Sequence, residues 1–272
     1  MRKLLMRLVV VLVLPAMATA QHTAGTDGLM IVAHRGVVND TLLENSLPAL
    51  EETIRRGYTH IEVDLRSTKD GHAICLHDRN LKRITGIDKN IDEITLAELR
   101  TLAPAERVPT FAAFCARSRG RIDLMPDIKD VPPDLEDTFA ASLETSLEKY
   151  GLMDEALIIG RSPVVERFDG KARLRWREPL AAVQQAARDM DEPGARYFIF
   201  NHAEHFDREQ VEGFHALGLD VVVSINTFHY RQGDPMAQGR RDLERMLALG
   251  VDGLQIDSVY DVFLFDLLKK RE

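Results

Sequence analysis

GYTHIEVDLRSTKDGHAICLHD, residues 57–78, contains in one place the unit from which most of the chain is built. Its glycine closes a helix-like segment in which Ser46 precedes Leu47, Leu50 and Ile54 at helical spacing, and the apolar run IEVDL follows at once. A glycine at a helix end and then a buried strand is one turn of an αβ repeat. The same step recurs at Gly120 before IDLMPDI, Gly151 before ALII, Gly218 before DVVVSI and Gly250 before DGLQI. Thr95 with Glu98 reads as a capping box, and Asp207 as the cap of a helix carrying Val211, Phe214 and Leu217. With LMIVA (29–33), ARLRW (172–176) and RYFIF (196–200) the chain offers eight candidate strands. Eight parallel strands alternating with helices predict an α/β fold, the (β/α)8 TIM barrel. A doubly wound open sheet is the alternative, but no Gly-rich phosphate fingerprint follows the first strand.

One departure from the repeat adds to the picture. After IEVDLRST the chain reads Lys69-Asp70-Gly71 and then HAICLHD, and Asp-Gly between strand-like runs is a hairpin turn. The reading is a short β-hairpin and loop insertion after the second strand. A two-residue Asp70-Gly71 loop would set Asp64 opposite His77, with Cβ atoms about 5 Å apart.

Composition narrows the classes. Of 272 residues 45% are hydrophobic and only 2 are cysteine, which excludes disorder, collagen and a disulfide-stapled mini-protein. The net charge of −8 argues against a nucleic-acid partner. Residues 1–20 differ from the rest: Arg2, Lys3 and Arg7 lead an apolar run from Leu8 to Leu14, and Ala18-Thr19-Ala20 ends it. This is the pattern of a cleaved signal peptide. The run is far short of the roughly 20 residues that span a bilayer, so no stable membrane anchor is expected. The expectation is a domain over 21–272, exported to the periplasm or secreted. Cys75 and Cys115 either pair there or stay as buried thiols.

Barrel enzymes hold their chemistry at the carboxyl ends of the strands. The first strand ends in His34-Arg35-Gly36, the second carries Glu62 and Asp64, and the third carries Asp127 and Lys129. Residues i and i+2 of a strand share a face, so each pair aims two charges at one side of the sheet. Such charges are costly unless they meet a metal, a partner or a substrate, and three carboxylates suit Mg²⁺ or Ca²⁺ better than Zn²⁺. His202 and His205 read as surface or pocket-lining residues, His229 lies just after the seventh strand within reach of a substrate but is not counted among the site residues, and Trp176 reads as a core or rim aromatic.

The run from Ala33 to Gly86 resembles the N-terminal signature of the glycerophosphodiester phosphodiesterase family. It contains H-R-G at 34–36, E-N-S at 44–46, E-x-D at 62–64, T-K-D-G at 68–71 and H-D at 77–78. TLAELRTL (95–102), PTFAAF (109–114), D-I-K at 127–129 and LALGVDGLQID near the end extend the resemblance along the chain. It implies a TIM barrel that hydrolyses glycerophosphodiesters to sn-glycerol 3-phosphate and an alcohol with one divalent cation. By position it implies His34 and His77 as paired acid and base, and Glu62, Asp64 and Asp127 as metal ligands. Arg35 and Lys129 would face the phosphate, and Glu44 the substrate pocket. In the family's scheme a glycerol hydroxyl attacks phosphorus and water then opens the cyclic phosphate. Two departures stand out. Ser224-Ile225 occupies the place of a Trp-Thr pair common in the family's seventh strand, and the stretch between His77 and Asp127 is short, implying a reduced lid. The alternatives are phospholipase D-like action on a lysophospholipid or sphingolipid, giving a cyclic phosphate, and a non-catalytic binding protein.

Overall fold

The computed structural model describes residues 28–271, so the expected signal segment and its cleavage point lie outside the described residues. The strands are β1 (Met30–Ala33), β2 (His60–Ser67), β3 (Ala73–Cys75), β4 (Asp123–Ile128), β5 (Leu157–Gly160), β6 (Arg173–Trp176), β7 (Tyr197–His202), β8 (Val221–Ile225) and β9 (Gly253–Ile256). Between and after them run α1 (Leu47–Arg55), α2 (Lys82–Thr85), α3 (Leu96–Leu102), α4 (Phe111–Ser118), α5 (Glu136–Tyr150), α6 (Leu180–Ala186), α7 (Arg208–His215), α8 (Pro235–Leu249) and α9 (Asp261–Lys269). All strands except β3 are parallel. They form a ring in the order β1, β2, β4, β5, β6, β7, β8, β9, closed because β1 pairs with both β2 and β9. The eight expected strands are the eight strands of this barrel.

Local chemistry explains the boundaries. Ser46 accepts from the Ala49 N–H, Asp207 from the Gln210 N–H, and Thr95 with Glu98 forms the full capping box. Among the described residues no helix is long and apolar enough to cross a membrane.

Alternation along the strands sorts the side chains. Val32, Met125, Leu157, Ile159, Phe198, Phe200 and Val222 meet in a cluster inside the barrel. Their strand neighbours, among them Ile31, Ile61, Val63, Leu124, Ile158, Leu174, Val221, Val223 and Leu254, face outward into the larger core under the helices. The inward parity continued to the carboxyl ends selects His34, Glu62, Asp64, Asp127, Arg175, His202, Ser224 and Asp257. The inside of the barrel is therefore apolar at mid-height and charged at its mouth.

The hairpin register differs from expectation by one residue. Leu65 faces Cys75, Arg66 faces Ile74 and Ser67 faces Ala73, and the Leu76 N–H donates to the Asp64 carbonyl at 2.9 Å. Asp64 thus lies opposite Leu76, not His77. The Thr68 hydroxyl is the cause: it donates to Asp70 Oδ1 at 2.7 Å and accepts from the His72 N–H at 2.9 Å. This widens the loop to Lys69, Asp70 and Gly71, with Gly71 at φ 82. The insertion that follows is more than a loop. Ile74, Leu76, Leu81, Ile84, Ile91, Ile94, Leu99 and Val108 give it an apolar core of its own, which carries α2 and α3.

Strand β2 changes neighbours partway along. Its first residues pair with β1 at His60 and Ile61, whereas Leu65 to Ser67 pair with β3. In the gap the Asp64 N–H donates to Asn45 Oδ1 at 3.0 Å, so a side-chain amide stands where a strand neighbour would be.

Candidate active site

The acid pairs meet where the parity puts them. Asp64 and Asp127 are direct neighbours across the β2–β4 ladder. One carboxylate oxygen from each of Glu62, Asp64 and Asp127 lies within 4.8 Å of the others. Lys129 Nζ sits 2.7 Å from Asp64 and 2.5 Å from Asp127. Asn45 donates to Asp64 Oδ2 at 2.8 Å, and the Arg35 N–H to Glu62 Oε2 at 2.9 Å. Arg35 and Asn45 reach these positions through left-handed backbones, φ 59 and φ 56. The Asn45 N–H holds the Arg35 carbonyl at 2.9 Å and closes the loop between them. Arg35 Nε lies 3.3 Å from Asp64 Oδ2, yet it is buried without a hydrogen bond.

The electrostatics follow from this crowding. Burial, together with Asp64 and Asp127, pushes the Glu62 carboxyl well above the usual range. Burial opposes ionisation of Asp64 too, but Lys129, Arg35 and His77 hold its carboxyl below its ordinary value. Lys129 is partly buried, which would lower it; Asp64 and Asp127 instead raise it to about 12. Three carboxylates against two cations leave an excess negative charge among oxygen-only donors. A divalent hard cation is what such a set fits, and the cluster could hold a metal ion.

Each of the two expected histidines has a carboxylate on its Nδ1. His34 Nδ1 is 2.7 Å from Asp257 Oδ1, and Asp257 Oδ2 accepts from both the N–H and the hydroxyl of Thr227 at 2.7 Å. His77 Nδ1 is 2.7 Å from Asp78 Oδ1. The Arg83 hydrogen bond, with help from His77, draws the Asp78 carboxyl down to about 2. Such contacts fix ring orientation and leave Nε2 for other work. Glu44 accepts from Arg83 at 2.5 Å and faces Arg35 at 3.4 Å, tying the two halves of the site.

Two cavities open here. One, of about 300 Å³, is lined by His34, Arg35, Glu44, Phe228 and Asp257. The other, of about 290 Å³, is lined by Arg66, Asp127, Lys129, Arg161, Arg175 and Arg177. His77 shares the Arg66 side in a more open recess. All eight expected site residues are therefore at the barrel mouth. Reading the sequence missed Asn45, Asp78, Asp257, Arg66, Arg161, Arg175 and Arg177; Asp257 was accessible to the same rule, as the residue after the last strand. His202 and His229 stack at 3.7 Å, and burial with His202 pushes His229 down to about 4. Ser224 is buried and bonded to Gln255 and Asn226, a polar network in the place expected to be reshaped by loss of an aromatic. Cys75 and Cys115 are buried free thiols, and burial pushes both thiols up.

Asp257→Asn gives a sharp test of the His34 contact. Thr227 offers two donors to Oδ2, so the new amide oxygen turns to Thr227 and the NH₂ faces His34 Nδ1. That makes Nδ1 the acceptor and puts the proton on Nε2, which then has no lone pair to offer. The expected result is a fall in kcat of about 10–100-fold with KM little changed, read from steady-state kinetics.

Comparison with known proteins places this geometry in a known class. The sequence profile of the glycerophosphoryl diester phosphodiesterase family matches residues 34–260, and the chain belongs to that family, whose members are phosphoric diester hydrolases. It is 31% identical to YhdW of Bacillus subtilis (strain 168) over 252 residues, covering 84% of this chain and 94% of that one. It is also 31% identical to the human lysophospholipase D over 104 residues, there spanning only 33% of the relative's length. A Mycobacterium tuberculosis relative aligns over 42% of its own length. Among solved structures, a Parabacteroides distasonis glycerophosphodiester phosphodiesterase superposes with TM-score 0.69 at 18% identity, covering 90% of this chain and 98% of that chain. An Oleispira antarctica phosphodiesterase solved with its product sn-glycerol-3-phosphate gives 0.68 at 20%, over 88% and 96%. These two likenesses bear on the fold.

Proposed function

We propose that this chain hydrolyses glycerophosphodiesters to sn-glycerol 3-phosphate and an alcohol, with a cation held by Glu62, Asp64 and Asp127. The observation that carries the reading is the pair of imidazoles, each oriented through Nδ1 by a carboxylate, beside an acid cluster bordered by Arg35 and Lys129. A divalent ion, Mg²⁺ or Ca²⁺, would offset the charge that develops on the phosphoryl oxygens. Arg35 and Lys129 bind those oxygens and turn phosphorus toward the attacking group. The glycerol end occupies the cavity of His34, whose Nε2 takes the proton of the hydroxyl that attacks phosphorus. His77 stands on the Arg66 side and donates a proton to the departing alkoxide. Water then opens the cyclic phosphate with the two roles exchanged.

A second reading concerns lysolipids. Val38, Phe228 and Val259 are 38%, 45% and 53% exposed and rim the His34 cavity, and an apolar rim suits an acyl chain on the glycerol. The sequence of residues 1–20 further supports export, with cleavage before Gln21. The intact mass of the exported protein should begin at Gln21.

The deciding experiment measures glycerol 3-phosphate released from glycerophosphocholine with Mg²⁺, with Ca²⁺ and with a chelator. Release should require the ion, and His77→Ala should slow it about 100-fold. Metal-independent release, or an unimpaired His77→Ala, overturns the mechanism. A cyclic phosphate from a lysophospholipid with no glycerol phosphate favours the second reading.

A further inference from the structure

Across the barrel from β1, the inner wall at β5 and β6 is basic. Arg161 follows β5, Arg175 lies on β6 and Arg177 just after it, and all three line the cavity that also holds Asp127 and Lys129. Among the described residues none of the three has a carboxylate within ion-pair distance. Arg177 donates to the Gly160 carbonyl. The Arg175 guanidinium lies 5.3 Å from the centroid of the Phe200 ring, and its Nε is buried without a partner. Arg161 is exposed at the rim. Burial above all, then the neighbouring Arg177 and Arg161, lowers Arg175 to about 10, and Asp127 offsets this only in part.

The scissile phosphate does not account for this wall. Glu62, Asp64 and Asp127 set against Arg35, Lys129 and a divalent cation leave one positive charge, and a phosphodiester carries one negative charge. That half of the site is neutral once the substrate is bound. Three further arginines without a carboxylate partner, two of them, Arg175 and Arg177, partly desolvated, call for another anion. The wall adjoins the Arg66 side, where in the proposed function His77 protonates the departing alkoxide to give the alcohol.

We propose that Arg161, Arg175 and Arg177 form an anion subsite for the leaving alcohol, and that the preferred substrates are glycerophosphodiesters whose head group carries a second negative group, a phosphate or a carboxylate. The proposal rests on the hydrolase reading above and deepens it. Guanidinium groups suit either oxyanion because their planar fork pairs with two oxygens at once.

The test compares glycerophosphoinositol with glycerophosphoinositol 4-phosphate, which differ in one phosphate. The expected kcat/KM is at least about tenfold higher for the phosphorylated diester, a charge-assisted contact's worth. In Arg161→Gln and in Arg175→Gln that ratio falls toward one, and Arg161→Lys keeps more of it. In parallel, calorimetry on the metal-free chain measures myo-inositol 4-phosphate against myo-inositol. The phosphate should bind at least about tenfold more tightly, and the Gln variants should lose that difference. Equal losses on both diesters would put the arginines on the scissile phosphate and overturn the proposal. So would a wild-type chain that does not distinguish the pair. If neither diester is hydrolysed, the hydrolase reading fails, and calorimetry alone decides whether the anion subsite exists.

Discussion

Glu62→Gln abolishes turnover while making the metal-free chain more stable. Glu62 is 2% exposed and shares its oxygens' surroundings with Asp64 and Asp127, and its carboxyl is pushed well above the usual range by burial and those two acids. Without a cation its charge is a liability to the fold. Glutamine keeps an oxygen for the Arg35 N–H, which now meets Glu62 Oε2 at 2.9 Å, and removes the repulsion. Melting in metal-free buffer should rise by about 2–4 °C, the shift that roughly 1 kcal/mol produces in a chain of this size. Turnover should fall about a thousandfold or more, because in the proposed function Glu62 helps hold the cation that offsets the charge formed in the transition state. Added Mg²⁺ or Ca²⁺ should raise the melting temperature of the parent chain and leave that of the variant where it is. A variant that melts lower without metal, or still responds to the ion, refutes this account of the cluster. Opposite signs for activity and stability are characteristic of charges gathered for chemistry.

Gly160→Ala should damage the fold itself. Gly160 ends β5 beside Ile128 in the β4–β5 ladder, at φ 130, where L side chains are strained. An added Cβ would lie 2.3 Å from the Ile128 carbonyl oxygen and 2.9 Å from its nitrogen, both backbone atoms that cannot turn aside. The ladder must open, and the expected loss is about 4 kcal/mol or more, the range kept for broken cores and strained backbones. Gly170→Ala is the control: it has φ 74 but no atom within 4 Å of the new Cβ, and should cost about 1 kcal/mol. Chemical denaturation of the pair reads the difference. Equal midpoints would show that the strands can part without cost. Because Arg177 hydrogen-bonds the Gly160 carbonyl, any surviving Gly160→Ala protein should also bind anions more weakly.

The barrel was legible because parallel strands covered on both faces write themselves as short apolar runs, and because glycines with left-handed backbones end helices at Gly57, Gly120, Gly151, Gly218 and Gly250. The acid pairs were legible from spacing alone, since i and i+2 share a face. The hairpin register was not: it hangs on the Thr68 hydroxyl, which bonds His72 and Asp70 and adds a residue to the loop. Asp257 could be placed at the mouth by the strand-end rule, but its contact with His34, 223 residues away, exists only once the first and last strands meet. Arg175 was not legible because the alternating charges of ARLRW do not say which side of the strand faces the barrel. Only the inward packing of Phe198 and Phe200 on β7 settles which side of β6 faces the barrel interior.

The change of neighbour along β2 has a kinetic corollary. The Asp64 amide hydrogen is held by the Asn45 side chain alone, not by a ladder, so its deuterium exchange is governed by excursions of one loop and needs no opening of the barrel. It should exchange faster than the Val63 or Leu65 amides, and fastest in Asn45→Ala. One backbone hydrogen thereby becomes a clock for how often the H-R-G and E-N-S loops come apart. The brace on Asp64 comes from the E-N-S loop, so rearrangement of the segment between β3 and α4 alone need not release that acid.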